Sequence, residues 1–232
     1  PTQTVPGNPI AINAGQALVT TDNGTGIRHD VTLVIRDGVI EEVRDRPAEL
    51  SRTIDASGLL VLPGFISGHT HACSATPTRG VIEGGRSFAR PLQLVESLTD
   101  DQLDALTAFN VAELLLSGTT THVEMSLSLR QVKSYVRIAR RWGVRCYPGG
   151  MVPGIGRLFP IWFRQDDNAL QASEAGTLAE IEANLAYART NNGADDGRVL
   201  PQMTPHAADT QTPKTMAAFA AAARSLGNGW LF

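Results

Sequence analysis

Lysine is almost missing from this sequence. Lys133 and Lys214 are the only two in 232 residues, no basic run occurs, and the formal net charge is -3. A chain so built lacks the electrostatic footprint of a nucleic-acid or anionic-membrane binder, and a small, near-neutral ligand is the partner it suits. Cysteine is equally scarce: Cys73 and Cys146 have no CxxC spacing and are too few for a disulfide framework, which points to a reducing compartment and hence to the cytoplasm. No apolar run approaches the roughly 20 residues that cross a bilayer. The start, PTQTVPGNPI, lacks the basic and apolar regions of a secretory signal, so a soluble protein is expected, with a trimmed start at Pro1 left open. At 42% hydrophobic and 19% charged residues, the chain can bury a core and is expected to be globular.

Two textures divide what is present. Residues 9–62 read as short strands joined by turns, with Asp37-Gly38 at the centre of VTLVIRDGVIEEV. Asp-Gly between alternating apolar residues signals a hairpin, because a type I′ turn needs positive φ at both central positions. From Val61 onward each β-like run is followed by a helical pattern, which argues for βα units and a parallel sheet. Helices are expected over about 100–117, with Thr99 and Gln102 as a capping box and Leu103, Leu106 and Phe109 on the apolar face, and over 129–142, with Val132, Tyr135, Val136, Ala139 and Trp142 inward and Gly143 as the stop. Two more are expected over about 176–190 and from Pro213 to about Leu226. Strands are expected in TTTHVEM, VRCYPGGM and RVLPQMT, with GNGWLF as the start of another, and the connection from Gly149 to Gln171 reads as an active-site loop. The domains expected are therefore 1–62, part of a small β-sandwich, and 63–232, the first four βα units of an α/β (β/α)8 TIM barrel. Eight units need roughly 250 residues, so the chain reads as the first half of a longer protein. Alone, such a half would expose sheet edges, and it is expected to aggregate, to form a homo-oligomer or to pair with a complementing C-terminal half.

Residues 61–71 read VLPGFISGHTH. On a strand alternate side chains share a face, so His69 and His71 project the same way, at the C-terminal strand end where barrel enzymes assemble their sites. Two imidazoles on one face can grip one metal ion; so short a pattern can also be two unrelated histidines.

That string, with TRG at 78–80, SGTTTHVEM and TPHAADTQTP, resembles the amidohydrolase superfamily, and within it the cytosine deaminase-like group that contains triazine hydrolases and adenosine-type deaminases. The resemblance covers nearly the whole chain. It implies a distorted (β/α)8 barrel and a β-sandwich, with a divalent metal held by His69 and His71, by a histidine after the fifth strand and by an aspartate after the eighth. Those last two ligands, and the family's Glu/His acid/base pair, would lie beyond Phe232. Ser67-Gly68 stands where the family usually has Asp or Asn and a small residue, which touches the support of the ligands and not the ligands themselves. In binuclear relatives a carboxylated lysine at the end of the fourth strand bridges two ions; Lys133 and Lys214 fall on expected helices, so one ion is favoured, zinc first and iron second. The implied reaction is attack by metal-activated water on a C–N bond of a small cyclic or heterocyclic compound, a deamination or a related hydrolysis. The alternatives are a catalytically silent relative or half-length subunit used in assembly, and ring opening of a cyclic amide or imide.

Other residues take roles by position. His206, after the fourth expected strand, matches a family histidine that binds substrate, although Ala207-Ala208-Asp209 departs from the family's PHxPY pattern; its other readings are a metal ligand and a packed or exposed histidine. His122 is either a substrate contact or a satisfied core histidine, and Arg79 either a substrate contact or a loop-stabilising ion pair. Arg157 is either an ordinary surface arginine or the counterpart of a substrate-binding arginine of some relatives, with Phe159, Trp162 and Phe163 as packing or as an aromatic wall for a flat ring. Glu124 is a strand or ligand support or a solvated carboxylate, Cys73 is loop packing, and His29 is exposed and without function.

Overall fold

The computed structural model describes residues 8–81, 84, 89–154 and 173–227. The chain divides into two compact units, Pro1–Pro63 and Gly64–Phe232.

In the first unit, β1 (Ile10–Thr21), β2 (Gly24–Arg36), β3 (Val39–Arg44) and β4 (Arg52–Val61) form one sheet in the order β3-β2-β1-β4. Strand β1 runs antiparallel to β2 and parallel to β4. Asp37 and Gly38 both have positive φ, 50° and 79°, as the mirror-image turn between β2 and β3 requires. The apolar core of this unit is Ala14, Ala17 and Val31, with Val19, Val43 and Val61 against it.

The second unit is a parallel sheet of β5 (Phe65–Thr70), β6 (Thr119–Ser126), β7 (Arg145–Val152) and β8 (Thr204–Pro205), in chain order. Around it run α1 (Ala75–Thr78), α2 (Ala89–Ser97), α3 (Asp100–Leu116), α4 (Leu129–Trp142), α5 (Glu174–Asn191), α6 (Ala194–Gly197) and α7 (Pro213–Ser225). This is half of a (β/α)8 barrel. No helix among the described residues is long and apolar enough to cross a membrane.

Local chemistry explains the helix limits. Thr99 and Gln102 form the expected reciprocal capping box on α3, and Thr212 and Thr215 form another on α7, just before Pro213. Gly143 ends α4 in the left-handed conformation, with φ 71°. Helix α5 begins earlier than the pattern placed it because the Ser173 hydroxyl accepts the Gly176 N–H.

The apolar face read for α3 needs correction. Its buried stripe is Leu103, Thr107, Asn110 and Val111, whereas Phe109 is 53% exposed. Burial follows the helical 4- and 7-residue steps even where they carry polar side chains. Most of their polar atoms pair inside: Thr107 donates to Leu103 O at 2.7 Å and lies 3.0 Å from Ser134 Oγ, and Thr76 donates to Asn110 Oδ1 at 2.5 Å, while Asn110 Nδ2 has no hydrogen-bond partner among the described residues. Trp142, in the last turn of α4, is 39% exposed.

The expected strand RVLPQMT is also shorter than read. Its backbone follows β7, with Cys146 N donating to Arg198 O, Leu200 N to Cys146 O and Gln202 N to Pro148 O, but only Thr204–Pro205 forms regular strand. Pro148 has no N–H for the next rung, and Pro201 none of its own. The residues of GNGWLF from 228 on, and most of the 149–171 connection, lie outside the described residues.

Gly149 shows how closely these strands are packed. A Cβ there would collide with Thr204 Oγ1 and lie 2.8 Å from Gln202 Cγ. Overpacking of this kind costs about 1–3 kcal/mol, so Gly149→Ala is expected to lower the urea midpoint correspondingly. An unchanged midpoint would show that the two strands are not in this contact.

Candidate metal centre

Strand β5 places His69 and His71 at its C-terminal end. Their Nε2 atoms converge to 3.1 Å, with ring planes at 85°. His71 Nδ1 lies 2.5 Å from the carbonyl oxygen of Met125. A carbonyl can only accept, so Nδ1 carries the proton and Nε2 keeps its lone pair free for a ligand. An ion about 2.0–2.1 Å from each Nε2, the ordinary Zn–N distance, closes the triangle. The same separation suits an N–H···N hydrogen bond in which His69 donates. Neutral imidazole nitrogens suit zinc or iron, so the donor pair fits the ion that the sequence implies. Among the described residues, no cluster of three or more His, Cys, Asp or Glu side chains surrounds the pair.

The backbone around His71 is fixed on both sides. Its carbonyl accepts the Ser74 N–H at 3.0 Å, and the following N–H, that of Ala72, donates to Glu124 Oε2 at 2.8 Å. Ser67, where the family pattern was departed from, donates its hydroxyl to His69 O at 3.3 Å. Burial pushes the His71 pKa down, the Met125 carbonyl works against that, and the charges of His69 and His206 add to the fall. Burial therefore disfavours the charged ring, and the neutral ring is the form a metal needs.

Glu124 is fully buried and is not the solvated carboxylate that was one reading of it. Its Oε1 accepts from the Ser126 hydroxyl at 2.8 Å, and its main-chain oxygen accepts from Gln202 Nε2 at 3.3 Å. Burial pushes its pKa up to about 8, against the pull of the Ala72 and Ser126 hydrogen bonds. Nothing in the sequence marked it beyond a strand position two residues after a histidine.

The remaining residues singled out in the sequence separate. His206 follows β8 at the same rim, half-buried, with its N–H donating to Val152 O at 3.1 Å. Burial lowers its pKa, and Asp209 opposes this. His122 is the correction: it is fully buried, with Nδ1 3.0 Å from Tyr135 Oη on α4 and Nε2 3.4 Å from Thr119 O, which makes it a satisfied core histidine and not a group open to substrate. Arg79 reaches away to α3, where both its terminal nitrogens pair with the Glu113 carboxylate. Cys73 is buried, accepts from Thr107 at 3.3 Å and donates to Gln131 O at 3.2 Å; burial pushes its thiol far up, so it is inert packing and no thiolate ligand. Lys133 and Lys214 lie on α4 and α7, the latter 3.1 Å from Glu174. His29 is exposed. Arg157, Phe159, Trp162 and Phe163 lie outside the described residues.

Glu124 carries a pH signature. Between its ordinary value of 4.5 and about 8, the unfolded chain has lost this proton and the folded chain keeps it, so the group makes stability fall as pH rises through that window. Its buried neighbours Cys73, Tyr135 and Cys146 are all pushed up, Cys146 to about 12, and stay neutral there. Urea unfolding of the metal-free chain from pH 5 to 9 is expected to show a steeper fall in wild type than in Glu124→Gln, which has no proton to lose. Equal slopes would place the carboxyl in contact with solvent.

The amidohydrolase family model matches residues 60–231. A 5-methylthioadenosine/S-adenosylhomocysteine deaminase from Natronomonas pharaonis is 32% identical over 94% of this chain and 46% of its own length. An atrazine chlorohydrolase from Arthrobacter aurescens TC1, solved in complex with zinc, superposes with a TM-score of 0.71 at 19% identity, over 94% of this chain and 51% of that one. A guanine deaminase from C. acetobutylicum, solved with guanine in its active site, superposes with a TM-score of 0.73 at 15% identity, over 95% and 51%. The chain thus spans about half the length of the curated relatives it matches. With the paired imidazoles at the end of the first barrel strand, the match over residues 60–231 places the chain in the amidohydrolase family.

Proposed function

We propose that this chain carries the first two metal ligands of a hydrolase that cleaves a C–N bond in a small heterocyclic compound, releasing ammonia from a ring-borne amino group. The convergence of His69 and His71 Nε2 to 3.1 Å, with His71 held in the ligating tautomer, is the observation that carries this reading. A divalent ion at that point, zinc first and iron second, would supply a water whose pKa falls from 15.7 to about 7.

The chain's own residues have three tasks in this proposal. His69 and His71 hold the ion, and Met125 O keeps the His71 proton on Nδ1 so that Nε2 stays a donor of its lone pair. His206, at the same rim and electrostatically coupled to His71, contacts the substrate. The helix placement of both lysines favours one ion over two. The 32% identity to the 5-methylthioadenosine/S-adenosylhomocysteine deaminase makes a 6-aminopurine nucleoside the first substrate class to test. Further ligands and the acid/base groups would come from a C-terminal half, joined or complementing, or from a second copy.

The test is ammonia release by the zinc-loaded complete protein, this chain together with the part that completes its site, over a panel of adenosine-type nucleosides, guanine and aminotriazines, beside zinc content by elemental analysis. Stoichiometric zinc is expected, together with ammonia release that a chelator abolishes. His69→Ala and His71→Ala should lose both. Full zinc content and activity in either variant would reject the assignment, and consumption of a cyclic amide without ammonia would replace deamination with ring opening.

A further inference from the structure

Near its C-terminal end strand β6 carries two consecutive residues, Glu124 and Met125, that both act on His71, one at its backbone and one at the ring. Met125 O takes the ring proton at 2.5 Å, and the Glu124 carboxyl accepts the N–H of the peptide that His71 forms with Ala72, at 2.8 Å. A buried backbone N–H left without a partner is costly, so this one stays where an acceptor is. The acceptor is itself immobilised. Ser126 Oγ holds its other oxygen at 2.8 Å, and Gln202 Nε2 holds the Glu124 main-chain oxygen at 3.3 Å. Glu124, Ser126 and Gln202 are all at most 2% exposed, so water does not compete for these bonds.

We infer that Glu124 is a positioning residue for the metal centre: by fixing the His71–Ala72 peptide from the neighbouring strand, it sets the direction of the His71 imidazole toward the point where it meets His69. The inference rests on the proposed metal site. The Ala72 N–H needs an acceptor at that distance and needs no negative charge, so an amide in place of the carboxyl serves. The link through Gln202 ties this peptide to the chain segment that goes on to His206. Outer supports of this kind change metal affinity by about 10- to 100-fold when removed.

The test is zinc titration by calorimetry of the metal-free chain, with the visible d–d spectrum of the cobalt-loaded protein as a reading of ligand geometry that stability alone does not move. Glu124→Gln keeps an oxygen for the Ala72 N–H and is expected to stay within a few-fold of wild type with the same spectrum. Glu124→Leu is expected to bind zinc about 10- to 100-fold more weakly, with an altered cobalt spectrum. If the leucine variant does not fold, Glu124→Asp takes its place, one methylene too short to reach the N–H. Equal affinity and an unchanged spectrum in the folded leucine or aspartate variant would overturn the inference, as would a glutamine variant as weak as either. Wild type that takes up neither metal would instead overturn the metal site itself.

Discussion

The parallel register of β5 on β6 is the constraint on which the rest of the site depends. With Ser67 opposite His122 and Thr70 opposite Glu124, the end of β6 stands beside the residue that follows β5. That alignment brings a carbonyl to one nitrogen of His71 and a carboxyl to the backbone just beyond it. A strand slipped by one residue would turn every side chain of β6 to its other face and leave both bonds unmade. Register here therefore controls chemistry as well as packing.

The packing behind the sheet keeps that register. Tyr135 and Val132 of α4 pack with Leu103 and Val111 of α3 against Cys73 and Cys146, and His122 is tied to Tyr135 Oη. A second cluster of Val152, Ile181, Met203 and Phe219 fills the space between α5, α7 and the later strands. The polar atoms within the first layer are largely paired with one another: Thr107 with Ser134, Ser134 donating to Asp104 at 2.5 Å, and Gln131 donating to Glu96 at 2.7 Å. A layer so cross-linked leaves the strand ends little freedom. This is how a rim of loop-borne groups acquires fixed geometry.

Much of the site could be read from residue spacing. The alternation in HTH put two imidazoles on one face, and the strand-end position made that face a rim. The lysine count and its helix placement needed only the sequence. Punctuation by Thr99, Gly143 and Thr212-Pro213 bounded three helices closely. Composition and position disagree on α3: Phe109 is apolar yet exposed, while Thr107 and Asn110 take the buried positions because the helical step puts them there. RVLPQMT was read as a full strand although Pro148 and Pro201 cannot donate to a ladder. His122 illustrates the same limit, since a histidine near a strand end looks alike in sequence whether it faces the rim or the helix layer.

By itself the sequence determined the alternation of strands and main helices, the division near residue 63 and the placement of His69 and His71 on one strand face, because each of these follows from periodicity and local backbone chemistry. Only the tertiary structure decided that His71 is a fixed tautomer, that Glu124 is a buried acceptor for the Ala72 N–H and that Arg79 turns to Glu113. Those outcomes depend on which residues of different strands and helices come within about 3 Å, the range of a hydrogen bond, and sequence separations of 34 to 54 residues carry no signal of that distance.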